Sequence, residues 1–241
     1  MSSHSLDIIL PCYNPSPRWV QQVADAYTKV CNALPDTKVQ LIIVNDGSDK
    51  DLAPDFDLLR KMVPHLIIES YPVNRGKGFA LRRGVAMSTG ELIIYTDIDF
   101  PYKEEGLIHL YHALADGKFD VALAVRNAHY YRQVPFMRKI MSRVLKAIIR
   151  QTLRLPTSDT QAGLKGFNLR GKDVFLQTTI HRYLFDLEFI CLVTESKLNV
   201  VCVPVELKSQ VHFTRMNMKI ALRESLNLIK IIFRRGRFFP A

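Results

Sequence analysis

STGELIIYTDID, residues 88–99, is the stretch on which the reading of this chain turns. Its centre, Leu92 to Tyr95, is a short run of apolar side chains, which suits a strand covered on both faces. Gly90 and Glu91 begin that run sharply, and Asp97 and Asp99 follow it one residue apart. Two carboxylates leaving a strand end into a loop can turn toward one point. Like charges held together there are costly unless a cation lies between them. Hard divalent ions such as Mg²⁺ or Mn²⁺ take carboxylate and phosphate oxygens together. The pattern therefore predicts metal and diphosphate binding at a strand's carboxyl end. The plainer alternative is a solvated loop with a helix cap near Asp99.

Similar apolar runs flank this one. Residues 6–10 (LDIIL), 39–44 (VQLIIV), 66–69 (LIIE) and 120–125 (DVALAV) read as further buried strands. Trp19, Val20, Val23, Tyr27, Val30, Cys31 and Leu34 recur at helical spacing between the first two, and residues 77–88 and 104–116 suit two more helices. Strand–helix alternation predicts an α/β fold, with a mainly parallel central sheet and helices on both faces. Ligands of such sheets bind at the carboxyl ends of the strands. Polar clusters fall at those ends: Pro11 to Asn14, Asn45 to Ser48, Asp97 to Asp99, and Arg126. No repeat or low-complexity linker interrupts the chain, so a single domain over 1–241 is expected.

Composition narrows the classes. With 48% hydrophobic and 23% charged residues, the 241-residue chain can bury a core, which excludes wholesale disorder. No apolar run reaches the roughly 18–20 residues of a membrane-spanning helix. Asp7 and Pro11 bound the first apolar run, so no secretory leader is expected. Cys12, Cys31, Cys191 and Cys202 lack metal-ligand spacing and read as reduced, buried thiols of an intracellular protein. A dinucleotide fingerprint fails, because Gly76 and Gly78 follow the third strand and Leu81 occupies the third glycine's position. A P-loop fails too, since Lys77 is followed by Gly78.

Charge is divided unevenly. Residues 1–120 carry 12 Lys+Arg against 16 Asp+Glu, and the remainder carries 21 against 7. Residues 126–154 hold eight of those cations and no acid, with Phe136, Met137, Ile140, Met141, Val144, Leu145, Ile148 and Ile149 interleaved. Residues 217–239 repeat the theme. Basic amphipathic helices of this kind suit an anionic bilayer surface, although their apolar faces could equally cover the sheet. A nucleic-acid-binding module would explain the basic half but gives no reason for Asp97 and Asp99, so no nucleic-acid partner is expected.

Taken together, LPCYN (10–14), IIVNDGSD (42–49), NRGKGFALRRG (74–84) and STGELIIYTDID resemble glycosyltransferase family 2, which has the GT-A nucleotide-sugar-binding fold. SDTQAGLKGF (158–167) and RYLFDLEFI (182–190) are similar to its dolichyl-phosphate glucosyltransferase and mannosyltransferase branch, nearer the glucosyltransferases. The resemblance implies that residues 1–125 bind the nucleotide sugar and 126–241 serve the acceptor and the membrane surface. It assigns Pro11, Tyr13, Asn14, Asp46, Gly76 and Lys77 to the nucleotide, and Asp97 and Asp99 to the metal (Mg²⁺ or Mn²⁺). It places Asp159, Gln161 and Glu188 at the sugar, and Arg126 and Arg138 at the acceptor phosphate. Asp97, Asp99, Asp159, Gln161 and Arg126 form the expected catalytic set.

The reaction the resemblance implies is an inverting transfer of a hexose to a polyprenyl or dolichyl phosphate, with UDP-glucose favoured over GDP-mannose. It would run at the cytoplasmic face of the membrane, with the protein peripherally attached and a membrane partner protein left open. A phosphate monoester with a pKa near ~6 is already nucleophilic at pH 7 and needs no general base. Transfer to a saccharide hydroxyl in surface-polysaccharide synthesis is the alternative. Three positions depart from the family pattern: Pro15 and Asn45 stand where many relatives carry acids, and Pro101 stands where mannosyltransferases often carry a metal-binding Gln.

Overall fold

The computed structural model describes residues 4–126, 155, 157, 159–160 and 162–208. The five strands expected from the sequence are β1 (Leu6–Cys12), β2 (Val39–Asp46), β3 (Leu66–Tyr71), β4 (Leu92–Tyr95) and β5 (Val121–Arg126). The expected helices are α1 (Trp19–Ala33), α3 (Lys77–Met87) and α4 (Glu104–Ala115). Five elements were not anticipated: α2 (Ala53–Met62), β6 (Lys165–Asn168), α5 (Leu169–Leu176), α6 (Phe185–Glu195) and β7 (Val200–Val205).

The seven strands form one sheet in the order β3-β2-β1-β4-β6-β5-β7. β1 pairs in parallel with β2 and β4, β2 with β3, and β5 with β7, whereas β6 runs antiparallel between β4 and β5. The sheet is therefore mainly parallel, and it takes strands from both sides of residue 126. Because β6 reverses, its amino end meets the carboxyl ends of β1, β2, β4 and β5 along one edge.

Alternation along the strands divides the core. Leu6, Ile8 and Leu10 of β1 face Val23, Tyr27 and Val30 of α1 and, with α2 and α4, form one buried layer. Ile9, Ile42 and Val44 face the other way, onto Ala80, Leu81 and Val85 of α3 and the Phe175, Phe185 and Phe189 cluster of α5 and α6. The α3 helix lies very close to the sheet, since a Cβ on Gly84 would approach Ile9 Cγ2 to 2.5 Å. At the opposite edge from the polar clusters, Asp7 accepts hydrogen bonds from the Thr89 and Gly90 amides and fixes the entry to β4.

The cysteine expectation needs one correction. No disulfide joins the four cysteines; Cys12 and Cys191 are buried, but Cys31 is only half-buried and Cys202 is exposed on the outer strand β7. Burial pushes the Cys12 thiol up to about 12, so it stays protonated. Among the described residues, no helix is long and apolar enough to cross a membrane. The basic segments 127–154 and 217–239 lie outside the described residues.

Candidate active site

The loop after β4 is shaped by its backbone. Thr96 donates its amide to the Ile9 carbonyl (3.1 Å), and Phe100 donates its amide to the Asp97 carbonyl (3.0 Å). Phe100 takes a left-handed φ of 44° and buries its ring. The chain thus curls over Asp97, Ile98 and Asp99 and holds both carboxylates at the sheet edge. Asp97 is half-buried and Asp99 more open.

The two carboxylates are treated differently. Lys77, first residue of α3, sets its Nζ 2.6 Å from Asp97 Oδ1. Burial alone would lower the Lys77 pKa, but the neighbouring Asp97 and Asp186 charges outweigh it and the ammonium is held above its ordinary value. Asp99 makes no ion pair among the described residues. Desolvation, then the Asp97 charge, pushes its carboxyl above its usual range. Two oxygen ligands, one of them short of a counter-charge, are a donor set that fits a hard divalent ion completed by phosphate and water. No cluster of three or more ligating side chains occurs among the described residues.

Across the edge, Arg126 at the end of β5 meets Asp159. The Arg126 amide donates to Asp159 Oδ2 at 2.8 Å, its Nε to both carboxylate oxygens at 3.0 and 3.1 Å, and its Nη2 to Oδ1. Both side chains are largely sheltered, so this is a fork-to-fork pair with its orientation fixed. Between this pair and Asp97 lies Gly163, whose amide donates to the Tyr102 hydroxyl at 3.1 Å. A Cβ there would stand 2.6 Å from Asp97 Oδ2.

The nucleotide candidates group at the ends of β1 and β2. Tyr13 and Asn14 are exposed, and Asn14 is locked to Asp49 by two hydrogen bonds of 2.7 and 2.9 Å. Pro11 is half-buried beside them. Asp46, expected at the base, also anchors a loop. Its carboxylate is buried and accepts from the Tyr71 hydroxyl, Asn74 Nδ2, and the Arg75 and Gly76 amides at 2.7–2.9 Å. Four donors converging on two oxygens make it the anchor of the 74–76 loop, at whose end Gly76 takes a φ of 104°. The reason is local: the loop's amides have no strand to pair with, and a buried carboxylate satisfies them.

Glu188, expected at the sugar, also anchors a turn. Its buried carboxylate accepts from the Thr179 amide and hydroxyl and from the Ile180 amide, each at 2.8 Å. That holds the turn whose His181 carbonyl accepts from the Gly78 and Phe79 amides, closing the start of α3. Gln161 and Arg138 lie outside the described residues.

Sequence reasoning missed the support beneath the loop. Lys165 of β6 is wholly buried and sets its Nζ 2.6 Å from both Asp186 Oδ1 and the Ala162 carbonyl. Tyr95 donates its hydroxyl to the same Asp186 oxygen at 2.6 Å. Burial lowers the Lys165 pKa against the pull of Asp186. The available signal was a lysine inside the otherwise apolar GLKGF stretch, since a lysine is almost never fully buried unless paired.

With this geometry established, comparisons with known proteins are informative. A family model described as Glycosyl transferase family 2 matches residues 7–172. A dolichyl-phosphate beta-glucosyltransferase of Trichomonas vaginalis is 25% identical over 243 residues, covering 95% of this chain and 74% of that protein. An undecaprenyl-phosphate 4-deoxy-4-formamido-L-arabinose transferase of Enterobacter sp. is 26% identical over 174 residues, covering 72% of this chain and 51% of its own. Among solved structures, glucosyl-3-phosphoglycerate synthase from Mycobacterium tuberculosis, in complex with Mn²⁺, uridine diphosphate and glucosyl-3-phosphoglycerate, superposes with a TM-score of 0.67 at 16% identity, covering 96% of this chain and 80% of that one. Mannosyl-3-phosphoglycerate synthase from Rubrobacter xylanophilus gives 0.70 at 15% identity, with coverages of 97% and 74%. These structural likenesses establish the fold as the GT-A arrangement.

Proposed function

We propose, for a chain that belongs to glycosyl transferase family 2, that the acceptor is a polyprenyl or dolichyl phosphate and the donor a nucleotide hexose, UDP-glucose before GDP-mannose. The observation that carries this is the sheet edge itself. It carries the acidic Asp97–Asp99 loop at the end of β4 and the oriented guanidinium of Arg126 at the end of β5, with β6 between them, one suited to a cation and diphosphate, the other to a phosphate. The dolichyl- and undecaprenyl-phosphate relatives point to the same acceptor class.

In this reading Asp97 and Asp99 hold the metal, Mg²⁺ or Mn²⁺, which when bound neutralises the departing nucleoside diphosphate. Arg126, fixed by Asp159, and Arg138 steer the acceptor phosphate. An acceptor oxygen forms its bond to the anomeric carbon from the face opposite the diphosphate, whose bond to that carbon breaks with its electron pair, so configuration inverts. No proton has to be removed, so the reaction requires no dedicated base. Tyr13, Asn14 and Pro11 border the nucleotide, Lys77 meets its diphosphate, and Gln161 works with Asp159 at the sugar. Asp46, which also anchors the 74–76 loop, serves the nucleotide base and ribose, and Glu188 is a second candidate at the sugar. The 126–241 half brings the protein to the cytoplasmic face of an anionic membrane as a peripheral enzyme, alone or with a membrane partner protein.

The test presents polyprenyl phosphate in anionic vesicles with UDP- and GDP-hexoses and Mg²⁺ or Mn²⁺. A glycosyl-phosphoryl lipid is the expected product. Transfer to free saccharides with none to the lipid would instead establish the polysaccharide reading.

A further inference from the structure

We infer that Lys77 is a built-in stand-in for the metal, neutralising Asp97 while the site lacks donor and passing to the donor's diphosphate when metal and nucleotide arrive together. The inference rests on the metal and diphosphate reading above and adds an order of events to it. Three observations carry it.

First, the contact disfavours a metal on the same carboxylate. Lys77 Nζ stands 2.6 Å from Asp97 Oδ1, while a hard divalent ion needs a carboxylate oxygen at about 2.0–2.6 Å. Ammonium and metal would then be neighbouring cations that repel each other. Second, the pair is asymmetric. Asp99 has no ion-pair partner among the described residues, so the loop with Lys77 in place carries one uncompensated negative charge rather than two. A metal arriving alone gains less from that loop than from two free carboxylates.

Third, the backbone of Lys77 is clamped while its stem is not. Asp46 holds the Arg75 and Gly76 amides before it, and the His181 carbonyl holds the Gly78 and Phe79 amides after it. A lysine head on a flexible four-carbon stem can change partners without moving its helix. Among the described residues the Asp186 oxygen that acts on Lys77 is already engaged by Lys165 and Tyr95. A diphosphate supplies the anion that releases Asp97. Metal and nucleotide should therefore bind with positive, reciprocal coupling, each strengthening the other by the same factor.

The experiment measures free Mn²⁺ by electron paramagnetic resonance, and UDP by calorimetry, on the full chain. Wild type, Lys77→Met and Lys77→Arg are compared, each checked for native circular dichroism. In wild type, Mn²⁺ alone should bind weakly and UDP should tighten it. K77M should bind Mn²⁺ alone at least about tenfold more tightly, bind UDP with Mn²⁺ at least about tenfold more weakly, and lose most of the coupling, tenfold corresponding to ~1.4 kcal/mol. K77R, which keeps the charge, should stay near wild type for Mn²⁺ alone. Unchanged or weaker Mn²⁺ binding by K77M would overturn the stand-in while leaving the metal reading intact. Wild type that takes no Mn²⁺ even with UDP would overturn both.

Discussion

Replacing Gly163 by alanine is a one-carbon test of the site. Gly163 covers the Asp97–Lys77 pair, and a Cβ there would lie 2.6 Å from Asp97 Oδ2 and 3.4 Å from Lys77 Nζ. Ordinary contact begins at 3.4 Å, so the Asp97 carboxylate must withdraw by about 0.8 Å, the difference between 3.4 and 2.6. The fold should yield easily. Gly163 is not in the left-handed region, the obstructing atom is the free end of a side chain, and the amide bond to Tyr102 is kept. Gly→Ala at a compatible position adds about 0.4–1 kcal/mol of stability through the unfolded chain.

A metal ligand has no such latitude. Misplacement by about 1 Å costs on the order of 10²-fold in rate, or ~2.7 kcal/mol at 1.36 kcal/mol per decade. Glycosyl transfer by G163A at saturating Mn²⁺ should therefore fall by that order, while its thermal midpoint stays level or rises slightly. Turnover within about threefold of wild type (~0.65 kcal/mol) would refute the assignment of Asp97 to the metal. A collapse of the thermal midpoint would refute the packing argument.

Three further outcomes follow from the same geometry. D97N and D99N should each remove most turnover without lowering the melting temperature, and EDTA should reproduce the loss; near-normal rates in either variant count against a metal held by this loop. K165M strands the Asp186 carboxylate in the core and should cost about 3–5 kcal/mol in denaturant unfolding, more than K165M combined with D186L; a K165M protein as stable as wild type would deny that the buried charges depend on each other. Because the folded Asp99 carboxyl titrates above its ordinary range, its contribution to metal-free stability is present at acid pH and is lost as pH rises through the raised value, whereas Mn²⁺ affinity should rise over the same window. Calorimetric titrations across that window should show both trends in wild type and neither in D99N.

How much was legible depended on what each segment had to satisfy. The strands β1 to β5 must be apolar on both faces, and that demand writes itself into runs such as LDIIL and LIIY. Asp97, Asp99 and Arg126 were visible because they sit where such a run stops. The strand β6 was not, because it is four residues long, carries three small or polar positions, and owes its place to pairing with β4 and β5 rather than to any pattern of its own. Asp46 and Glu188 stood out in the sequence, but the backbone amides that each gathers were not legible there, because only the folded loops bring those donors together. The Lys165–Asp186–Tyr95 cluster joins residues far apart in the chain, and no spacing rule reaches across such separations.

The reversed strand also has a consequence for how the protein is made. During synthesis the outer edge of β4, the strand that bears the acidic loop, gains its neighbour only when β6 has been translated, after the whole of β5 and the segment behind it. Until then the nascent sheet would present an unpaired, apolar edge of the kind that recruits other chains. The loop's two carboxylates, mutually repelling and charged, stand at the end of that edge and act as gatekeepers for it. The two carboxylates of the finished sheet edge are thus placed to keep the unfinished chain apart from its copies.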